Sequence, residues 1–176
     1  MTSQTIAKLE AARRQLDTAI NLWFMDGDAV SVHTLAAAAH GIIHDLNRAK
    51  KGPPLLFDSP TIDAQFKKEA IRILKSFENF CKHADLRKQK ETEMEFDSEV
   101  TIGFIFACLY GVAFLGYHLN GVELAFRSWV WVNRPQFLNY QLKKTVADRI
   151  EIKRLETLRT IPKGEFLKHF LKVSSV

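Results

Sequence analysis

From Val100 to Val122 the chain carries no Asp, Glu, Lys or Arg. A stretch of this kind has two physical fates. A helix of about 20 apolar residues spans a bilayer, or it lies at the centre of a bundle, covered on every side. Gly103, Gly111, Gly116, Tyr110, His118 and Asn120 dilute its hydrophobicity, and Arg127 interrupts the next apolar run. The spacing predicts a buried central helix, with a membrane span as the alternative.

The rest of the chain fits the buried-helix fate. Ile6, Leu9, Leu16, Ile20 and Trp23 recur at helical spacing, with charges between them. Asp26-Gly27-Asp28 reads as a turn, with Asp28 or Ser31 as the cap of a second helix. Val32, Leu35, Ile42, Ile43 and Leu46 mark that helix. Its Ala36–Ala39 run lets a neighbour approach closely, and Gly52-Pro53-Pro54 ends it. Phe66, Ile71, Ile73, Leu74 and Phe77 mark a third, and the charged stretch from Asp85 to Glu95 reads as a loop or frayed end. No strand-like alternation persists and no segment repeats. The expectation is an all-α, single-domain bundle of about six or seven helices. These fall near 5–25, 29–50, 61–83, 98–119, 122–133, 135–160 and 163–172, with the core bundle over 5–160.

A chain of 176 residues can bury a real core. Its net charge of +5 is compatible with an anionic partner and equally with a lysine-rich solvated surface. Cys81 and Cys108 form no CxxC pair, which excludes a disulfide framework and a zinc ribbon and fits a reducing cytoplasm. Met1-Thr2-Ser3-Gln4 lacks a basic region followed by an apolar stretch, so no signal peptide is predicted.

His33, His40 and His44 follow one another at steps of seven and four, on one stripe of the second helix. The last step is that of a helical two-histidine ligand pair for a divalent metal, with His83, Asp45 or His118 available as a further ligand. No Glu completes an HExxH pattern. The plainer account has these rings hydrogen-bonding within the bundle. Phosphate-binding GxxxxGK[ST] and GxGxxG loops and a GxSxG elbow are absent. Cys81 and His83, two apart, point away from each other on a helix. Trp129, Trp131 and Phe137 beside Arg127 and Arg134 suggest base stacking or, more simply, an aromatic packing corner.

The run Phe77-Glu78-Asn79-Phe80-Cys81-Lys82-His83 places Asn79 and His83 on one helical face. Together with Lys8-Leu9-Glu10-Ala11-Ala12, Val32-His33-Thr34-Leu35-Ala36-Ala37-Ala38-Ala39-His40 and the continuation Ala84-Asp85, it resembles a family of uncharacterised bacterial helical proteins with a VHTLAxAAH and NFFKHAD signature. The likeness covers about the first hundred residues. More distantly the layout resembles the HEPN superfamily, helical bundles that include RNases of toxin–antitoxin and defence systems. Their motif is an Arg, a polar residue and, a few residues on, a His. The resemblance implies that Asn79 is the polar residue and His83 the catalytic His. Glu78 stands where the Arg belongs, and a carboxylate there opposes the charge developing on a phosphate. Arg72, seven residues before Asn79, lies on the same stripe and could replace it. The expected function is a non-catalytic or weakly active HEPN-like module, possible as a homodimer, acting through RNA or a partner protein. The alternatives are a metal-binding bundle using the histidine stripe and a small membrane-associated protein.

Overall fold

The computed structural model describes residues 3–60, 62–83, 93–137 and 152–174. Among these are seven α-helices and no strand: α1 (Lys8–Phe24), α2 (Ala29–Ala49), α3 (Lys67–Lys82), α4 (Glu99–Phe114), α5 (Gly121–Asn133), α6 (Ile152–Thr160) and α7 (Lys163–Ser174), with 3-10 turns at Leu56–Asp58 and Pro135–Phe137. The all-α bundle expected from periodicity is what the chain forms. The expected loop at Asp85–Glu95 falls mostly on residues 84–92, and most of the expected 135–160 helix falls on 138–151. Both stretches lie outside the described residues.

Local chemistry sets the helix ends. The Ser31 N–H donates to Asp28 Oδ2 at 2.7 Å, which starts α2, and the Ser31 hydroxyl first and its N–H second hold the Asp28 carboxyl below its usual range. Helix α3 starts at Lys67, not at Thr61, because the chain first turns: the Gln65 N–H donates to Asp63 Oδ1 at 3.0 Å and the Phe66 N–H to the Asp63 carbonyl at 3.0 Å. Helix α4 stops at Phe114, five residues short of the expected 119. Gly116 has φ +88, and the Tyr117 N–H reaches back to the Val112 carbonyl at 3.2 Å, which closes the helix with a left-handed cap. Asn120 and Glu123 form a reciprocal capping box at the start of α5, one residue earlier than the expected 122.

The core lies where α2 packs against α1 on one side and α4 on the other. Ala36, Ala37 and Ala39 are buried and keep α2 slim there. Gly111 does the same for α4: a Cβ at that position would lie 2.4 Å from Ile43 Cγ2. Phe24, Phe104, Phe126, Leu16, Ile20 and Ile105 fill the centre and are all but fully buried. Helix α4 is nevertheless not covered on every side: Tyr110 and Phe114 remain exposed on its outer face. Among the described residues no helix is long and apolar enough to cross a membrane. At the other end α7 packs on α5, and Trp23 meets Phe126 and Trp129 edge-on with ring centroids 4.9 and 4.5 Å apart.

Candidate functional site

The histidine stripe of α2 is buried, and Asn47 extends it by three more residues. His33, His40, His44 and Asn47 are 1%, 0%, 8% and 3% exposed. Together they form a polar seam inside an apolar interface, in which the His40 and His44 rings lie 5.7 Å apart and no two members share a hydrogen-bond partner. His33 Nδ1 and the Thr101 hydroxyl of α4 share a 2.9 Å hydrogen bond. Its ring lies edge-on to Phe77, Phe96 and Phe104, at centroid distances of 5.5, 5.1 and 5.2 Å. His40 packs edge-on to Phe57 at 4.5 Å and Phe104 at 5.2 Å, and neither of its ring nitrogens has a hydrogen-bond partner. His44 Nε2 lies 2.6 Å from Asp58 Oδ2, and its Nδ1 is 3.5 Å from Asp45 Oδ1. Asn47 Nδ2 donates to the Pro53 carbonyl at 2.8 Å and so secures the turn after α2. Gly52 is required in that turn, since a Cβ there would sit 2.0 Å from Asn47 Oδ1.

Burial decides the protonation of this seam. His40 is held down to about 3, first by loss of water and then by the His44 and Lys75 charges, with Asp58 and Asp45 opposing weakly. His33 is also lowered by burial, and the Glu78 carboxylate of α3 offsets part of that. Neutral imidazoles are the form that binds a metal. Yet among the described residues no three His, Cys, Asp or Glu side chains are disposed to hold one. The geometric reason is that His33 is committed to Thr101, His40 to two phenyl faces and His44 to Asp58.

The residues singled out on α3 lie elsewhere. Arg72, Asn79 and His83 are exposed on its outer face. Arg72 is clamped through Nε and Nη2 by the Glu69 carboxylate, whose pKa the guanidinium lowers. His83 is the C-cap of α3, in extended backbone at φ −126 and ψ 118, and its N–H donates to the Asn79 carbonyl at 3.1 Å. Glu78 is on the inner side, partly buried, paired with Lys82 and felt by His33. The α3 side chains that reach the seam are therefore Phe77, against His33, Lys75, whose charge acts on His40, and the Glu78 carboxylate. Desolvation pushes the thiols of both Cys81 and Cys108 up, away from a nucleophilic thiolate.

A second polar network escaped the reading of the sequence. Arg13 Nη2 of α1 donates to Glu123 Oε2 and to the His118 carbonyl, both at 3.2 Å. The Asn120 N–H donates to Glu123 Oε2 at 2.8 Å, and Asn120 Nδ2 donates to Asp17 Oδ1 at 2.9 Å. Glu123 is fully buried, and burial raises its pKa against the pull of Asn120 and Arg13. The signal available was Asn120-x-x-Glu123, a capping-box spacing. The Trp129–Arg134 corner is packing: Trp129 is buried, and Arg134 stacks on it at 5.2 Å while its Nε and Nη2 donate to Glu99 at 2.7 and 2.8 Å.

Comparison of the chain with protein-family models, curated proteins and solved structures finds no match in any of the three.

Proposed function

We propose that this chain is a non-catalytic, HEPN-like helical module of bacterial type that works by contact with RNA or a partner protein. The observation that carries the reading is the state of α3. A phosphodiester-cleaving site needs a cation and a proton-carrying His directed at one phosphate. Here Arg72, seven residues before Asn79, is already paired with Glu69, Lys75 is turned toward Phe57 at 4.6 Å, and the residue beside Asn79 is the carboxylate Glu78. The reading includes a cytoplasmic location, supported by two unpaired cysteines, one exposed and one buried.

The test is RNA cleavage by the wild-type protein and by Glu78→Arg, Arg72→Ala and His83→Ala. No cleavage by the wild type is expected. Cleavage gained by Glu78→Arg supports a degenerate site on a shared scaffold. Robust wild-type cleavage abolished by His83→Ala overturns the proposal.

A further inference from the structure

Helix α4 and its cap turn a row of aromatic rings outward. Tyr110 and Phe114 stand one turn apart on the same face, and Tyr117 follows three residues later, just past the glycine cap. They are 43%, 45% and 49% exposed. Phe106, nearly buried, supports Tyr110 edge-on at 5.0 Å. An apolar row of this length on a surface calls for an occupant.

Cations surround the row. The Phe114 ring rests at Gly52, where a Cβ would come within 2.6 Å of it, so Lys50 and Lys51 stand beside that end. The Arg13 guanidinium lies 5.9 Å from the Tyr117 ring centre. The Arg127 guanidinium of α5 lies over the Trp131 ring at 5.0 Å, and its charge reaches Tyr110, whose phenol burial pushes up and Arg127 pulls down. Arg13 is answered by Glu123, whereas Lys50, Lys51 and Arg127 take part in no ion pair among the described residues.

We propose that this face binds single-stranded nucleic acid, with bases stacked on Tyr110, Phe114 and Tyr117 and the phosphate backbone running past Lys50, Lys51, Arg13 and Arg127. The proposal rests on the contact-module reading above and gives it a partner and a surface, remote from Asn79 and His83. Every base offers a π-face, so rings of this kind bind a strand whatever its sequence, while the flanking cations release its counterions. Charge argues against a second copy of the chain as the occupant. Two-fold pairing through this face would bring Lys50, Lys51 and Arg127, unpaired among the described residues, of one copy toward those of the other.

The experiment is fluorescence anisotropy with a labelled oligothymidylate of about 12 nucleotides, which spans a typical single-strand site and lacks the 2′-hydroxyl that serves as the nucleophile in metal-independent RNA cleavage. Wild type is expected to bind, and log affinity to fall with log salt at a slope of about −2 to −3 for four phosphate contacts. Each of Tyr110→Ala, Phe114→Ala and Tyr117→Ala should weaken binding about 5- to 100-fold with the circular dichroism unchanged. The pair Lys50→Glu and Lys51→Glu should flatten the salt slope by about 1 to 2. Ile73→Ala, on the exposed face of α3, serves as the control. Absence of binding at low salt overturns the proposal, as does binding that survives the triple aromatic substitution. Self-association lost in that triple variant, without oligonucleotide binding, overturns it in favour of a second copy. RNA cleavage abolished by His83→Ala would instead strike the contact-module reading, and the oligothymidylate result would stand separately.

Discussion

On α2 the steps of seven, four and three pick out His33, His40, His44 and Asn47, and all four are buried. On α3 the steps of seven and four pick out Arg72, Asn79 and His83, and all three are exposed. The angular arithmetic is the same for both, since seven residues return a side chain to within about 20° of where it began. What differs is the rest of each helix. Between its histidines α2 has alanines and isoleucines that fit against α1 and α4, so the polar stripe is carried inside with them. On α3 the apolar face is Ile71, Leu74 and Phe77, opposite the Arg72 stripe, and that face is what packs. Spacing tells which residues travel together; the composition of the opposite face tells which way they travel.

A charge placed on the buried interface of α2 and one on the outer part of α3 separate the two helices by the largest margin. Phe104→Asp puts an unpaired carboxylate against His33 and His40 and should cost at least about 3 kcal/mol, a large share of the about 5–15 kcal/mol that holds a typical domain together. Ile73→Asp on the outer part of α3 should stay within about 0.5 kcal/mol. Urea titration of the two variants distinguishes them, and equal losses would mean that α3 is as much core as α2.

Acid offers the next test. The unfolded chain takes up a proton at His40 near pH 6.5, but the folded chain does so only near 3. Between those values the unfolded state holds more protons, so stability rises with pH and is lost as pH falls, by about 1.4 kcal/mol per unit for this one ring. His33 adds in the same direction. Stability measured from pH 7 to 4.5 should therefore fall, and His40→Leu should flatten the curve. An unchanged slope in that variant would show that the loss arises elsewhere.

Glycines sharpen the picture further. Gly111→Ala forces a methyl group against Ile43 and Leu55 and should destabilise by about 1–3 kcal/mol. Gly41→Ala in α2 meets nothing within 4 Å and should stabilise by about 0.5–1 kcal/mol. Thermal melts of both report whether α2 touches α4 only along the seam. The smallest effect is expected from Asn79→Ala on the outer face of α3, within about 0.5 kcal/mol by the same melts.

Helices α1 and α2 were legible because Leu9, Leu16 and Ile20, and Val32, Leu35, Ile42 and Leu46, recur at helical intervals, α4 because its run carries no charge, and the Asp28 cap because its chemistry is local. The extent of α4 was not, because its end depends on Gly116 taking a left-handed conformation inside an otherwise uninterrupted apolar run. The α2 stripe was visible as spacing. Its partners were not, since Thr101 is 68 residues from His33, and Asp58, though 14 residues from His44, comes from a loop with no period. Lone hydroxyls and carboxylates carry no periodic signal, and Arg13 with Glu123 is hidden for the same reason. The outward face of the Asn79–His83 pair became clear only once α3 had been set against its neighbours.

The Arg13–Glu123 contact spans 110 residues, and Asn120–Asp17 spans 103. In a cell, where chains lengthen at about 5–20 residues per second, α1 is made roughly 5–20 seconds before the carboxylate that holds its guanidinium exists. Helices α1 and α2 can pair as a local hairpin during that interval, but one flank of α1 has no neighbour until α5 is synthesised. Helix α1, made before α4 and α5, is secured only after them, and a chain interrupted before residue 120 would present Arg13 and Asp17 without the Glu123 and Asn120 that engage them.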